Sequence, residues 1–567
     1  LRFFDWVDER TGWRALRRAA FDFELQGGAR WAYAFGSALA VVFLAQVLTG
    51  VLLTVRYSPT VLGAWASVLQ VQHREALGGW LRGLHRQGAS AMMFVMGAHL
   101  LQAAIYGAYK RPREVSWWTG LAMMALLCGF GFTGYALPWD QDGYWLTVAA
   151  ADAAGRMPLV GQALRGLVLG GTECGQATLT RMFLLHVGVL PGFLGLLLLG
   201  HLALYRRHGP TAPAGANLAR RERYFPKQLS RDLGLSAVVL GAVVFATTQL
   251  GAPLGAPADG GIAHAARPAG YFLWLIELRR LAPPHLEWLV TLALPVLGGA
   301  ALFALPFLDQ RPTTRVRARW PFVAPVSLAA AAIVALSFAS LLADASDPGY
   351  QAQRRIADSR AVRSVALARR GVPPEGPLAM LADDPRTGGA DVFARHCARC
   401  HVLGDRGERW APDHSGFGSR EWVRGQLHDP NGDEYFGRTR LTTMPSQDRL
   451  GDAQLRSVTE YLFSLGHEPQ DPPFDTALAA AGARVFQTKC MTCHRFEGRG
   501  DSLGAGGPDM AGYASRTWIA RRIAGPPGSH GGASRTRVFA GGLGARGVRV
   551  VAAYLRLQRF EPPPTGR

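Results

Sequence analysis

The chain has 567 residues, of which 49% are hydrophobic and 18% charged, with a formal net charge of +20. It is too long for one core and too apolar for an ordinary soluble globule, so it reads as a membrane protein with soluble additions. The excess charge is largely arginine beside apolar segments, with no basic helix or stacking platform elsewhere, which argues against nucleic-acid binding and for membrane orientation.

Residues 1–30 mix aromatics with Arg14, Arg17 and Arg18, the pattern of an interfacial amphipathic helix. Their charge density is too high for a removable secretory signal. Seven segments long enough to span the hydrocarbon core follow, near 31–55, 85–107, 117–137, 182–205, 233–250, 286–308 and 320–343. Basic residues cluster before the first, in Lys110-Arg111-Pro112-Arg113, from Arg206 to Arg231 and from Arg311 to Arg319. These stretches alternate with less basic loops, so they share one face, which the positive-inside rule makes cytoplasmic. Everything after residue 343 then lies outside. A Pro/Ala/Arg-rich linker occupies 344–385, partly helical around 351–370.

The apolar segments hold four histidines in two spaced pairs, His85 with His99 and His186 with His201, 14 and 15 residues apart. That is close to four helical turns, so each pair points to one face at two levels about 21 Å apart. Two such helices facing each other would hold two stacked porphyrins, each ligated by one histidine from each helix. Four incidental polar residues are the poorer reading, because an unpartnered imidazole is costly in lipid. Gly36 and Gly50 on the first span, and Gly120 and Gly134 on the third, repeat the 14-residue spacing at the same depths. A missing Cβ lets a flat macrocycle approach the backbone. Arg82 and Arg181, just outside His85 and His186, suit haem propionates, against a simpler role as interfacial anchors.

The remaining chain holds two repeats. The first has Val392-Phe393, then Cys397, Cys400 and His401 as CxxCH, Glu421-Trp422 and a closing Tyr461-Leu462. The second has Val485-Phe486, then Cys490, Cys493 and His494, Thr517-Trp518 and a closing Tyr554-Leu555. CxxCH attaches c-type haem through its thiols, and its histidine becomes an axial ligand. Two copies, each opening a matching helical repeat, make this a stronger reading than a redox or zinc motif. Attachment takes place outside the cytoplasm, in agreement with the charge pattern. Met444, before Pro445, is the expected sixth ligand of the first iron, where a thioether raises the potential. In the second repeat the corresponding stretch, Val538-Phe539-Ala540, has no methionine, and Met510 comes too early. His530 is the nearest alternative, and a five-coordinate or weakly ligated iron is the other. Cys128 and Cys174 have no obvious mate and read as reduced thiols.

Four motifs now carry a resemblance: Gly79-Trp80-Leu81-Arg82 running into His85-Arg86, Lys110-Arg111-Pro112-Arg113-Glu114, Gly134-Tyr135-Ala136-Leu137-Pro138-Trp139-Asp140-Gln141, and Thr178-Leu179-Thr180-Arg181 before His186. Residues 1–343 resemble the cytochrome b subunit of quinol–cytochrome c oxidoreductases, most specifically through 205. The 15-residue histidine spacing is similar to the plastid bf-type branch, in which the last three spans form a separate subunit. That branch also carries a cysteine for an extra covalent haem, where this chain has Ala34. Residues 385–560 resemble the dihaem cytochrome c of bacterial complexes. The expected fold is all-α: a seven-span bundle with two non-covalent b haems, then two small cytochrome c domains with covalent haems. The expected divisions are 1–30, an interfacial segment; 31–215, four spans; 216–343, three spans; 344–385, the linker; and 386–470 and 471–567, the c domains.

The resemblance implies a Q cycle. Quinol is oxidised near the outer face, where Pro268, Tyr271 and Gly143 match site positions. One electron leaves through a mobile Rieske iron–sulfur protein to cytochrome c or a terminal oxidase. The other drops through the outer haem, on His85 and His186, to the inner haem, on His99 and His201, and on to a quinone near Arg206 and the Arg231-Asp232 pair. Simple positive-inside anchoring is the alternative for those charged residues. The resemblance also implies a homodimer in a larger complex of a bacterial cytoplasmic membrane, with the N-terminus inside and the c haems periplasmic. One departure stands out. Where the family has Pro-Glu-Trp-Tyr, this chain has Pro268-Ala269-Gly270-Tyr271, so the carboxylate that accepts a quinol proton is absent; Glu277, Glu287 and His264 are unranked substitutes. A non-bifurcating conduit and a haem-bearing scaffold with a dead outer site are therefore the competing functions.

Overall fold

The computed structural model describes residues 2–217, 219–439, 444–525 and 533–560. The chain forms two compact units, Leu1–Pro377 and Leu378–Arg567. Both are helical, and among the described residues strand is confined to two short antiparallel pairs.

Seven helices in the first unit are long and apolar enough to cross a membrane: Trp31–Thr54, Gly78–Tyr106, Glu114–Ala136, Gln176–His208, Lys227–Leu250, Leu289–Leu308 and Val316–Ser346. All seven expected spans are present, and several run on into charged ends that hydropathy alone leaves out. "Outer" below means the end of this bundle opposite the N-terminus. The N-terminal segment differs from the single helix expected. It is two helices, Arg2–Thr11 and Trp13–Phe21, broken at Gly12, whose φ of +61° is left-handed. Glu24–Gln26 then pairs with Arg221–Arg223, tying the entry of the first span to the loop after the fourth.

At the inner end Arg319 is fully buried. It bonds Asp309 at 2.8 Å, the Tyr109 hydroxyl at 2.6 Å and the carbonyls of Ala104 and Ile105, while Lys110 reaches Asp309 at 2.9 Å. A buried charge persists when its partners are this complete, and the cluster clips the second and third spans to the last two.

The outer end carries short helices that lack a span's length and are not evident from hydropathy: Ala64–Arg74, Gln141–Gly155, Gly161–Leu169 and Leu273–Leu281. Asp140 caps Gln141–Gly155 by accepting from the Gly143 N–H, and its other oxygen accepts from the Gly255 N–H, both at 3.0 Å. Burial and the neighbouring Asp142 carboxylate push Asp140 above the ordinary carboxylate range, with those two N–H groups opposing. Gln141 donates its N–H to Ala256, and Ala258 donates to Trp139, so the 251–270 loop lies along the start of this helix. After the last span, Asp347 caps a helix over Pro348–Ala368, so the expected linker is largely helix.

In the second unit the two repeats exchange helices. The opening segment of the first repeat, Pro385–His396, packs on the closing helix of the second, Ala533–Leu557. The closing helix of the first, Asp452–Leu465, packs on the opening helix of the second, Thr476–Val485. Each crossing needs a glycine. A Cβ on Gly389 would fall 2.7 Å from the Val550 carbonyl and 2.6 Å from Tyr554, and one on Gly482 would strike the Ser457 carbonyl and Tyr461. Phe393, Trp422, Leu462, Phe486, Tyr513 and Val551 share one continuous core.

Candidate haem and quinol sites

The four membrane histidines meet in two levels, each ring opposite a glycine. A Cβ on Gly50 would lie 3.2 Å from His85 Cε1 and one on Gly134 2.5 Å from His186 Cε1; on Gly36 and Gly120 the distances to His99 and His201 would be 3.8 and 3.7 Å. The outer level thus joins Gly50, His85, His186 and Gly134, and the inner level Gly36, His99, His201 and Gly120. The His85 and His186 ring centroids are 6.1 Å apart. With metal–imidazole bonds of about 2 Å, two imidazoles on opposite sides of one iron have centroids about 6 Å apart. The residues present therefore fit haem.

Three rings share a partner absent from the expectations. His85, His201 and His186 bond through Nδ1 to the hydroxyls of Thr49, Thr119 and Thr133 at 2.9, 3.0 and 3.1 Å. That leaves Nε2 for a metal and fixes ring orientation. Each threonine directly precedes its level's glycine, so a repeated Thr-Gly dipeptide is the sequence signal for it. At the fourth position Phe35 precedes Gly36, and His99 Nδ1 is buried without a partner among the described residues.

The unequal spacing of the pairs has a structural answer. Fifteen residues overshoot four turns by about 60°, which would turn His186 away from the face of His201. A π-helical turn over Leu185–Val189 absorbs the extra residue just at His186.

The arginines expected beside the haems have other contacts here. Arg82 is buried and donates to the Gln72 side chain and to the Ala252 and Pro253 carbonyls, pinning the 251–270 loop. Arg181 donates to the Leu167 carbonyl.

Around the outer end, Gly143 packs where a Cβ would lie 2.5 Å from the Tyr135 carbonyl, so helix Gln141–Gly155 approaches the third span closely. Tyr271 packs on Gly131 of the same span, and Tyr135 donates to the Arg267 carbonyl at 3.0 Å. Pro268 and Ala269 lie between these two anchors. Of the three substitute acceptors, Glu287 is buried between Arg156 and Arg279, and Glu277 pairs with Arg280 at 3.4 Å. His264 Nε2 instead lies 2.8 Å from Asp142 Oδ1.

At the inner end the Arg231-Asp232 pair is not a pair. Asp232 is buried and accepts from Ser37, Tyr224 and Gln228 at 2.7–2.8 Å, while Nη1 of Arg231 is buried without a partner among the described residues. Arg206 stacks over Phe23 at 4.1 Å.

In the second unit His401 Nδ1 lies 2.8 Å from the Pro412 carbonyl and His494 Nδ1 3.2 Å from that of Pro508, again leaving Nε2 outward. Burial holds both imidazoles below their ordinary 6.5, in the neutral form that binds iron. Cys397, Cys400, Cys490 and Cys493 lie beside them and form no disulfide. Met444 packs against the shared core. Trp422 donates to the Asp413 carbonyl and Trp518 to that of Asp509, so Met510 is the counterpart of His414, which stacks on His401 with centroids 4.4 Å apart. By that equivalence Met510 belongs to the histidine side of its site. His530 lies outside the described residues.

Comparison with known proteins finds two families in this chain. The cytochrome b/b6/petB family matches residues 24–209, and the cytochrome c family matches 387–466 and 479–538. Cytochrome b6 of Synechococcus elongatus is 36% identical over 210 residues, 37% of this chain and 98% of that protein. The chain belongs to the cytochrome b/b6 family. Another relative, the menaquinol:cytochrome c reductase cytochrome b subunit of Geobacillus thermodenitrificans, is 37% identical over 220 residues, again 37% of this chain and 98% of that one. A chain of a hyperthermophilic respiratory complex III has the same fold, with a TM-score of 0.53 at 24% identity, covering 64% of this chain and 97% of that one. Residues matching the cytochrome b/b6 family and residues matching the cytochrome c family are thus parts of one polypeptide.

Proposed function

We propose that this chain is the membrane electron-transfer subunit of a quinol:cytochrome c oxidoreductase. It oxidises quinol at the outer face and serves periplasmic c haems on one branch. On the other it serves an inner quinone site through two b-haem levels, with coupled proton translocation. The observation that carries this reading is the pair of histidine levels, each ring set against its own glycine. It is supported by the name of the Geobacillus relative, which couples menaquinol to cytochrome c.

When bound, the haems supply reversible one-electron chemistry. His85 and His186 would hold the outer b haem and His99 and His201 the inner one; Thr49, Thr119 and Thr133 fix three of those rings. Arg181 at the outer rim is left as the candidate for a propionate, while Arg82 holds the 251–270 loop. Cys397, Cys400, Cys490 and Cys493 would attach the c haems, with His401 and Met444 available to hold the first iron and His494 the second. Pro268, Tyr271 and Gly143 shape the outer quinol site. Asp232, poised by three hydrogen bonds beside Arg206 and Arg231, handles protons at the inner quinone site. A Rieske iron–sulfur protein, a cytochrome c or terminal oxidase, and a second copy of the chain are the partners. The complex sits in a bacterial cytoplasmic membrane with the N-terminus inside.

A second reading, a conduit that passes electrons from quinol to the c haems without bifurcation, is favoured by Ala269, which removes the family's acidic side chain. The test is quinol oxidation by the purified complex while b- and c-haem reduction are followed together. Reduction of both classes supports the proposal, c-haem reduction alone supports the conduit, and no oxidation supports a scaffold.

A further inference from the structure

We propose that His264 and Asp142 form the proton-accepting pair of the outer quinol site, in place of the carboxylate missing at Ala269. The inference rests on the reading of this chain as the quinol-oxidising subunit proposed above.

Oxidising a quinol requires its hydroxyl protons to leave, and a buried site needs an acceptor within hydrogen-bond reach, directly or through one water. Ala269 and Gly270 carry no such group. Among the side chains near this segment, Glu287 is held between two guanidiniums and Glu277 is paired with Arg280. The Asp344 carboxylate is taken by Arg267 at 2.8 and 2.9 Å and by Arg280 at 2.9 Å. Asp140 accepts two backbone N–H bonds and caps a helix. His264 and Asp142 differ from all of these, since each is bonded to a group that can itself take and release a proton.

Their placement fits the task. His264 is five residues before Ala269, on the loop that Tyr135 anchors through the Arg267 carbonyl. Asp142 is the residue before Gly143, in the first turn of Gln141–Gly155, where a helix N-terminus favours negative charge. Gly143, the residue after Asp142, packs on the Tyr135 carbonyl and Tyr271 packs on Gly131, so Asp142 and the tyrosine of the quinol segment share the outer end of the third span. Exposure is graded: the His264 side chain is 16% exposed and that of Asp142 42%. Asp142 is therefore the member of the pair more open to water.

The step balances as a proton transfer. With Nε2–H donated to Asp142, His264 Nδ1 carries the lone pair. The quinol O–H bond breaks and an N–H bond forms at Nδ1. The Nε2 proton then passes to Asp142 Oδ1 and on to water at the outer surface. The same relay, reset by proton exchange of the neutral imidazole with water, carries the second hydroxyl proton, so the quinol loses two protons and two electrons; the electrons would leave for one-electron acceptors, an iron–sulfur partner and the haem that His85 and His186 would hold. Asp142 acts through His264 and is a positioning and relay residue. The charged and titratable groups facing Asp142 are Asp140 and Tyr135, with Arg354 from helix Pro348–Ala368.

The test uses the purified complex with a soluble quinol. His264→Gln keeps a side-chain amide for Asp142 but cannot accept a proton at neutral pH. We expect kcat to fall about a hundredfold or more with KM little changed, b- and c-haem spectra unaltered, and the acidic limb of the pH–rate profile lost. Asp142→Asn should lower kcat less and shift that limb. Ala269→Glu placed in the His264→Gln background should restore most of the rate. Retention of the full rate and the same pH profile in His264→Gln, or no rescue by Ala269→Glu where haem content is intact, overturns the pair while leaving quinol oxidation standing. Absence of quinol oxidation by the unmodified complex overturns the functional reading and the pair together.

Discussion

Gly134→Ala should disable the outer haem level selectively. Its Cβ would fall 2.5 Å from His186 Cε1 and 3.1 Å from Nδ1, whereas ordinary contact begins near 3.4 Å, so the ring must retreat by about 0.9 Å. The third span is packed between neighbouring helices and cannot move as easily as one ring. Overpacking of this kind costs about 1–3 kcal/mol. Retreat also stretches the 3.1 Å bond from Nδ1 to Thr133, worth about 1 kcal/mol. Together, about 2–4 kcal/mol corresponds to a roughly 30- to 700-fold loss of haem affinity at that level. Gly36→Ala and Gly120→Ala would place their Cβ atoms 3.8 and 3.7 Å from the inner rings, in ordinary contact. The assay is b-haem content per polypeptide together with a redox titration resolved into two components. The expected result is loss or a large shift of one component in Gly134→Ala, with both retained in Gly36→Ala. Two normal b haems in Gly134→Ala, or equal damage in the two variants, would refute the reasoning.

His99→Leu should remove the inner b haem alone, because only His201 shares its level and, among the described residues, no third histidine lies there to replace it; two spectroscopically normal b haems would show that the pairing is wrong. Met444→Ala should abolish a thioether-ligated signal and lower one c-haem potential, while the other c haem already lacks that signal in the unmodified protein. Finding methionine at both irons would contradict this account of the second repeat. Because the c repeats exchange helices, both c haems should report one cooperative unfolding transition in the full chain. Glu460 is central to it, bonded to Arg420 at 2.5 and 2.7 Å and to the N–H of Asp475 at 2.9 Å. The Arg420 bonds hold its carboxyl below the ordinary 4.5, so its stabilisation is present above that pH and is lost as pH falls through the lower folded value. Glu460→Gln should therefore lower the transition temperature at pH 7, by an amount that shrinks on acidification below 4.5. A pH-independent difference would show that charge is not the cause.

The haem levels were legible because two periodic signals on different helices, histidine and glycine, agree in spacing, and lipid punishes unpaired polar groups. The extra residue between His186 and His201 was visible as a spacing, but not its site, since any turn between them could have absorbed it. The threonines were present as Thr49-Gly50, Thr119-Gly120 and Thr133-Gly134, yet threonine in a span commonly bonds its own helix and carries no distinct sign. The outer helices are too short and mixed for hydropathy to mark. Helix exchange in the c unit could not be read from the repeats. Gly389 and Gly482 each suit Tyr461 or Tyr554, so the pattern encodes a crossing but not which copy supplies it. Ranking His264 above Glu277 and Glu287 depended on arginines that are distant in sequence for Glu287 and Asp142 that is distant for His264, so it awaited tertiary structure.

The central claim is bifurcated quinol oxidation, and it is tested most directly by adding oxidant to the complex with quinol present and the inner quinone site blocked. Bifurcation requires one electron to leave for the high-potential branch before the second enters the b branch. The account predicts a transient reduction of the b haems that appears only when oxidant is added. Electrons reaching the c haems while b-haem reduction never depends on oxidant would contradict it.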